Sequence, residues 1–495
     1  MKFISTRGGE CVSGARAIAQ GIAKDGGLFV PEKFPSVSQK ELEEMLPMSY
    51  AERAAVVIHK YLDEYDLGEL KSACEKAYSQ FEEGDAAPLV KIDEGLYILE
   101  LFHGPTCAFK DLALTILPYL LRKGCDICGI KENVLILTAT SGDTGKAALE
   151  GFKDAPGVRI MVFYPSEGVS KMQKLQMSTQ EGNNVNVLAV RGNFDSCQTA
   201  VKQIFTSDAC KEELLRRGII LSSANSINVG RLIPQIAYYF SAYLDLVSSA
   251  QIEMGEKVNF AVPTGNFGNI LAAYYAKQMG LPVGKLICAS NKNNVLTDFI
   301  RTGVYDRRRE FFKTMSPSMD ILISSNLERL LFEISGREAT RVRVRMEKLA
   351  SEGHYELYEE EREAVQNLFY ADFCGEDETV ETIYEFFEEY QYPLDTHTAC
   401  AMYAAGNYMA ENEKDKTPMV VVSTANPYKF PQDVMYAVTG NDIKDSFKAI
   451  KHLNLATAMK VPASLAKLRD KPVRFTAVAD KDKLFAEVLK FVDKN

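Results

Sequence analysis

Tryptophan is absent from this 495-residue chain, and histidine is scarce at five residues. No two histidines stand at i, i+4, so the helical zinc pair of that spacing is excluded. Basic residues are also short, 57 against 67 acidic ones, which leaves a net charge of −10. A chain of that sign, with no basic-aromatic patch, suits neither nucleic acid nor an anionic membrane surface. No apolar run reaches the ~18 residues that a transmembrane helix needs. The opening stretch MKFISTRGGECVSG has no apolar core flanked by basic residues and is not Arg-rich. Neither a secretory signal nor a transit peptide is expected in it. The ten cysteines are scattered rather than packed into a short chain, which predicts reduced thiols in a cytoplasmic setting. Cys125 and Cys128 form a lone CDIC without a second pair at a zinc spacing, so no metal or redox role is assigned to them. No G-x-S-x-G elbow is present.

What is there has the length for two or three domains, since 495 residues exceed one compact core. Residues 1 to about 90 read as mostly helical. SQKELEEML opens on a capping serine and continues with helical apolar spacing. From about 131 the rhythm changes. NVLILTA, VRIMVFYP, NVNVLAV, IILSSA, KVNFAVPT and KLICAS are short apolar strand runs. Helical stretches separate them: KAALEGFKDA, SKMQKLQMSTQ, DSCQTAVKQIFTSDACKEELLRRG, a helix from about 228 to 248, and ILAAYYAKQMG. Buried strands alternating with helices predict an α/β fold, an open and mostly parallel sheet covered on both faces. From about 303 to 390 the strand signal fades into acidic helical stretches, best explained as solvated faces. A strand returns near 419 in PMVVVSTANP. No internal repeat or low-complexity linker appears.

Three loops have the makings of anion sites. VNFAVPTGNFGNILAAYY is a strand, a Gly/Asn turn and a helix start. Gly265 and Gly268 let the backbone approach a ligand, and the free N–H groups of the helix start point at it. An ordinary βα turn has the same pattern. LILTATSGDTGKAALEGF repeats the form but fails as an ATP-binding Walker loop. Thr140 stands where the first glycine is required, and Ala147 follows the lysine. Ser141, Asp143 and Thr144 at its helix start still suit a carboxylate or phosphate. In SANSINVGRLIPQIAYYF, Asn225 and Ser226 precede a helix that carries Arg231 early. Amide, hydroxyl and guanidinium together form a plausible oxyanion clamp, although a first-turn arginine is more often plain surface charge.

HGPTCAFKD places Lys110 among small and apolar residues. A lysine held in such a loop is desolvated, its pKa falls, and its amine becomes a nucleophile able to condense with an aldehyde. With separate anion loops for a phosphate and a carboxylate, pyridoxal phosphate is the natural cofactor. A solvated loop lysine is the commoner fate.

LELFHGPTCAFKD, TATSGDTGKAA, SANSINVGRL, VPTGNFGN, DTHTACAMYAA and STANPYKF, together with GLFVPEKFP near the start, resemble threonine synthases of the fold-type II family of pyridoxal-phosphate enzymes. The resemblance runs nearly the whole chain in the family's order, and its sister enzymes usually carry Asn where Asp143 stands. It implies open, mostly parallel sheets flanked by helices. It also implies an N-terminal threonine synthase region over 1–90 and a catalytic core over 91–440. Within the core lie a smaller subdomain at about 131–220 and a helical insertion at about 303–390; a C-terminal extension spans 441–495. By the same resemblance Lys110 bears the cofactor, and Gly265, Asn266, Phe267, Gly268 and Asn269 surround its phosphate. Thr424 faces the pyridine nitrogen, where a neutral hydroxyl gives a milder electron sink than a carboxylate. Asp143 lies near the cofactor's phenolic oxygen. Asn225, Ser226 and Arg231 hold the substrate phosphate, and Ser141 and Thr144 line the loop that receives the substrate. His397 falls in a matching stretch as a capping or core residue. No metal is implied.

The activity implied is conversion of O-phospho-L-homoserine and water to L-threonine and phosphate, by γ-elimination and β-addition of water. Lys110 also serves as the base at the α carbon. The same residues would serve a threonine synthase-like phospho-lyase that releases 2-oxobutyrate. A non-catalytic scaffold would have no need of Lys110, GNFGN and Thr424 together. No membrane or nucleic-acid partner is expected, and the sequence carries no signal for an oligomeric state.

Overall fold

The computed structural model describes residues 1–494 other than Ser141, Glu167, Gly168, Ser170 and Asn193. Near the N-terminus the strands Lys2–Ser5, Cys11–Ser13 and Phe29–Pro31 form a small antiparallel sheet. Helices Gln39–Met45 and Tyr50–Tyr61 follow it. Each opens on a serine, Ser38 or Ser49, that trades hydrogen bonds with a glutamate three residues on, which satisfies the otherwise orphaned N–H groups.

Two larger sheets carry the rest. The smaller has five strands, all parallel, in the order Val478–Ala479, Val185–Val190, Val158–Pro165, Asn133–Ala139 and Ile219–Ser222. Alternation along its strands divides the apolar residues between two layers. Leu135, Leu137, Met161 and Phe163 face one side with Val201, Ile204 and Leu214. Val134, Ile136, Ile160 and Val162 belong to the main core with Ala147, Ala148 and Phe152. The second sheet has six strands in the order Phe369–Phe373, Val283–Ser290, Val258–Pro263, Met419–Ser423, Leu96–Glu100 and Leu89–Asp93. All neighbours in it are parallel except the last pair. The helix Val229–Ser248 is buried along nearly its whole length, which explains why its sequence is apolar on every face. The expected α/β architecture, with mostly parallel sheets between helices, is the one observed.

Several elements differ from the sequence reading. The stretch read as one helix after 194 is two, Phe194–Thr206 and Asp208–Leu215. Ser207 ends the first and caps the second by accepting from the Cys210 N–H, a competing local bond that periodicity does not register. The region 303–390 is not purely helical. Phe369–Phe373 completes the large sheet at its edge, and an irregular segment from 307 to 326, with one short 3₁₀ turn, precedes the helix Leu327–Ile334. Folded, its polar residues meet the loops of the large sheet. The segment 441–495 reaches back to the smaller sheet. There Val478–Ala479 adds the edge strand, and Leu484, Val488 and Phe491 of the last helix join its apolar layer.

Candidate active site

Parallel pairing of Val258–Pro263, Met419–Ser423 and Leu96–Glu100 brings the loops after all three strands to one edge. Open α/β sheets bind ligands at that edge. The loop carrying Lys110 is fastened to the segment carrying Thr424. Leu101 N–H donates to Ser423 O and Phe109 N–H to Thr424 O, both at 2.9 Å, and Asn426 N–H donates to Cys107 O at 3.1 Å. Within the loop, the Thr106 N–H and hydroxyl donate to the buried carboxylate of Asp111 at 2.8 and 2.6 Å, which fixes the turn just before the lysine. Burial still pushes Asp111 up to about 6.

Lys110 lies at the start of the short helix Asp111–Leu114 and is buried. Its Nζ is 4.7 Å from the centre of the Phe109 ring and 4.0 Å from Asp143 Oδ2, the latter beyond hydrogen-bond reach. Burial pushes the amine down to about 8, with Lys429 and Arg231 adding repulsion while Asp143 opposes the shift. A substantial fraction of neutral, nucleophilic amine near neutrality is the chemical result.

Asp143 comes from the other sheet, as the first residue of the helix Asp143–Gly151. Its side chain is 2% exposed, and Lys429 Nζ meets its Oδ1 at 2.9 Å. Ser318 Oγ donates to Oδ2 at 3.3 Å, and Gln173 Nε2 lies 3.5 Å from Oδ1. Burial alone would raise its pKa; Lys429 and Lys110 outweigh burial and hold it well below the usual carboxylate range. Thr144 is half-buried in the same first turn, and Ser141 lies outside the described residues.

The turn 265–269 follows Val258–Pro263 and opens the helix Gly268–Gln278, with Phe267 in the left-handed region at φ 63°. It is braced by the irregular segment from the 303–390 region. Ser324 Oγ donates to Gly265 O at 2.7 Å, and the backbone and side-chain N–H groups of Asn326 donate to Asn266 O at 3.1 and 2.9 Å. A Cβ on Gly265 would lie 2.9 Å from Ser318 O, so only glycine fits that seam. The Asn269 side chain turns toward the long helix, accepting from Tyr238 and Tyr239 at 2.5 and 2.7 Å. Its Nδ2 is buried and has no partner among the described residues.

Of the three residues expected to form an oxyanion clamp, Ser226 reaches this turn through a serine. Ser226 Oγ is 3.5 Å from Ser325 Oγ, which donates to Asn266 Oδ1 at 3.3 Å. Asn225 is half-buried in the turn leading to the helix Val229–Ser248. Arg231 is buried, donates from Nη1 to Ala224 O at 3.1 Å, and leaves Nε without a partner among the described residues. Burial pushes it down to about 10. A buried guanidinium held by a carbonyl, with a donor unmet, is suited to receiving an oxyanion. His397 sits in the first turn of Thr396–Glu411, its Nδ1 3.0 Å from Asp395 Oδ1, and its Nε2 accepts from the Ser318 N–H at 3.1 Å. That acceptor role puts the proton on Nδ1. His397 therefore holds the Ser318 turn.

Lys110, Thr424 and the 265–269 turn lie at the edge of the larger sheet, and Asp143, Ser226 and Arg231 come to it from the smaller one. The donor set fits pyridoxal phosphate: a buried amine, a glycine turn at a helix N-terminus, and unmet donors on Arg231 and Asn269. Sequence reasoning missed Lys429, Ser318 and the 324–326 brace. Lys429 could have been found by the logic applied to Lys110, since NPYKFP also sets one lysine among apolar and turn residues. Nothing local marks Ser318 or the brace, because their partners are over fifty residues away.

The chain matches three family descriptions: "Threonine synthase N terminus" over residues 2–78, "Pyridoxal-phosphate dependent enzyme" over 85–367, and "Threonine synthase, C-terminal" over 398–492. Human threonine synthase-like 1 is 42% identical over 448 residues, a match covering 87% of this chain. The chain spans 59% of that relative's length. Threonine synthase of Pseudomonas aeruginosa is 36% identical over 497 residues, covering 100% of this chain and 98% of its own. The crystal structure of PLP-bound threonine synthase from Brucella melitensis superposes with a TM-score of 0.88 at 36% identity, covering 100% of this chain and 99% of that one.

Proposed function

The chain belongs to the threonine synthase family of pyridoxal-phosphate-dependent enzymes, and from that premise we propose that it converts O-phospho-L-homoserine and water to L-threonine and phosphate. The observation that carries the reading is the desolvated Lys110 amine, 4.0 Å from Asp143, on the same edge as the 265–269 turn and Thr424.

In this reading Lys110 Nζ holds the cofactor, and the N–H groups of residues 265–269 hold its phosphate at the helix N-terminus. Asp143 faces the phenolic oxygen and Thr424 the pyridine nitrogen. Asn225, Ser226 and Arg231 hold the substrate phosphate, while Ser141 and Thr144 receive the rest of the substrate. When bound, pyridoxal phosphate supplies the electron sink that acidifies the protons at the substrate's Cα and Cβ. The Lys110 amine would be the base that takes the proton from the substrate's Cα. Arg231 would stabilise the phosphate as it leaves Cγ, water would add at Cβ, and the Lys110 amine would hold the cofactor between turnovers. Burial of Lys110, Asp143 and Arg231 keeps bulk water away from the reacting carbons. The reading also divides the chain into residues 1–90, a catalytic core over 91–440 and an extension over 441–495. It places the protein in the cytoplasm, acting on a small molecule without a nucleic-acid or membrane partner. No helix among the described residues is long and apolar enough to cross a membrane.

A second reading has the same residues release 2-oxobutyrate instead of threonine. What favours keeping it is the 42% identity to proteins named threonine synthase-like. Product analysis with O-phospho-L-homoserine separates the two. Threonine equal to phosphate is the expected result, and phosphate with 2-oxobutyrate and no threonine selects the second. Lys110→Ala is expected to abolish turnover and the yellow, borohydride-bleached form; retention of either would remove Lys110 from its role.

A further inference from the structure

Asp143 puts a buried carboxylate 4.0 Å from Lys110, at a position where, by the resemblance stated above, the sister enzymes usually carry an asparagine and so no charge. A lone carboxylate at 2% exposure would be expected to take up a proton. Here Oδ1 is occupied by Lys429 Nζ at 2.9 Å, and Lys429 is itself 2% exposed. The lysine is anchored a second time, by Thr106 O at 2.8 Å; the N–H and hydroxyl of Thr106 donate to Asp111, the residue next to Lys110. Oδ2 is left facing Ser318 Oγ and Lys110 Nζ, at 3.3 and 4.0 Å. The carboxylate is thus shared between one fixed cation and one lysine that the proposed chemistry converts.

We propose that Lys429 is a positioning residue for the reaction: as the fixed counter-ion of Asp143 it holds that carboxylate ionised, with Oδ2 turned to Lys110, so that the two together replace a neutral amide.

The charged groups around the pair are few. Asp143 feels Lys429, Lys110 and, more weakly, His397. Lys429 feels Asp143, the Cys107 thiol and Asp111. Lys110 feels Asp143, Lys429, Arg231 and Asp111. Burial works to lower Lys429, but Asp143, with the Cys107 thiol and Asp111, more than offsets it and the net shift is upward, so Lys429 stays charged while Lys110 gives up its proton more readily. Removing Lys429 leaves Lys110 as the remaining close cation of Asp143, which makes it a stronger base. Removing the carboxylate leaves Lys110 beside an uncompensated cation, which makes it a weaker one. Removing both restores the charge balance.

The inference rests on the proposed role of Lys110, so its test begins without cofactor. The ionisation midpoint of Lys110 in the full chain is read from the pH dependence of its acetylation by acetic anhydride, followed by peptide mass spectrometry. Lys429→Met should raise the midpoint by about one pH unit or more and Asp143→Asn should lower it by as much, as neighbouring charges of opposite sign do. The double variant should return to within about half a unit of the parent, since the pair acts as one neutral unit. Unmoved midpoints, shifts in the same direction, or a double variant equal to the sum of two same-sign shifts would overturn the proposal. If Lys429→Met fails to fold, Asp143→Asn, the double variant and Lys429→Arg carry the test, with Lys429→Arg expected to keep the parental midpoint. In the cofactor-loaded protein, Lys429→Met should lower kcat about tenfold or more with KM for O-phospho-L-homoserine nearly unchanged, the mark of lost transition-state stabilisation. A change in KM alone would overturn the positioning role. An absent cofactor band in the parent protein would instead count against the proposed function, while the acetylation midpoints would still report on the pair.

Discussion

Arg231 is buried, its Nη1 held by a backbone carbonyl and its Nε without a partner among the described residues, a costly arrangement unless an oxyanion arrives. In the proposed reaction that oxyanion is the substrate phosphate, met by charge-assisted hydrogen bonds each contributing about 1.5–3 kcal/mol. Arg231→Ala is therefore expected to raise KM for O-phospho-L-homoserine by about 10- to 100-fold, since each tenfold corresponds to about 1.4 kcal/mol. Steady-state kinetics with KM unchanged would take Arg231 out of the clamp. The lysine pair shows the same principle at residue scale. Lys110 and Lys429 are both buried, yet one amine is pushed down and the other up. Lys429 meets the Asp143 carboxylate at 2.9 Å where Lys110 stands 4.0 Å away, and Lys110 is also repelled by Lys429 and Arg231.

The turn between Val258–Pro263 and Gly268–Gln278 offers a test at the scale of an element. Its glycines are not equivalent. A Cβ at Gly265 would collide with the backbone of the Ser318 turn at 2.9 Å, whereas one at Gly268 would meet only the Asn326 side chain at an ordinary 3.5 Å. Gly268→Ala should thus leave folding stability within about 0.5 kcal/mol. If the cofactor phosphate lies against this helix start, the added methyl should weaken pyridoxal phosphate binding by about tenfold, or about 1.4 kcal/mol. Equilibrium titration of cofactor, with denaturant unfolding of the cofactor-free chain alongside, reads both quantities. Undiminished affinity would move the phosphate away from Gly268.

Residues from the last fifty of the chain complete the smaller sheet, which makes that sheet's stability a property of the whole molecule. Leu484 is 1% exposed and packs in the layer with Leu135, Leu137 and Phe163. Truncating a leucine in such a layer costs about 2–5 kcal/mol through lost burial and the cavity left behind. Leu484→Ala should lower the unfolding free energy by that amount in urea, even though Leu484 lies far along the chain from every residue of the site. A loss below about 1 kcal/mol would show that the final helix contributes little to the sheet. Because Asp143 is carried by this sheet and Lys429 by the other, their 2.9 Å contact is also a joint between the two.

The sequence by itself determined the strand and helix alternation and the mostly parallel character of the two larger sheets, and it put forward the loops proposed for the site. Those signals are local: apolar runs of strand length, glycine turns at helix starts, a lysine in an apolar setting. It also sufficed for Lys110, the 265–269 turn, Thr424 and Arg231 as candidates. Only the tertiary structure decided that Asp143 meets Lys429, that the Ser318 turn sits between Asp143 and His397, and that Ser324 and Asn326 brace the glycine turn. It likewise decided that residues 478–479 close the smaller sheet and that Ser207 breaks a helix in two. The physical reason is that pairing a buried charge or an orphaned carbonyl is a matter of distance in space. Asp143 and Lys429 lie 286 residues apart and Ser324 and Gly265 59, beyond what any periodicity or local propensity records; at Ser207 the competing bond is local, to the Cys210 N–H, and apolar periodicity does not register it.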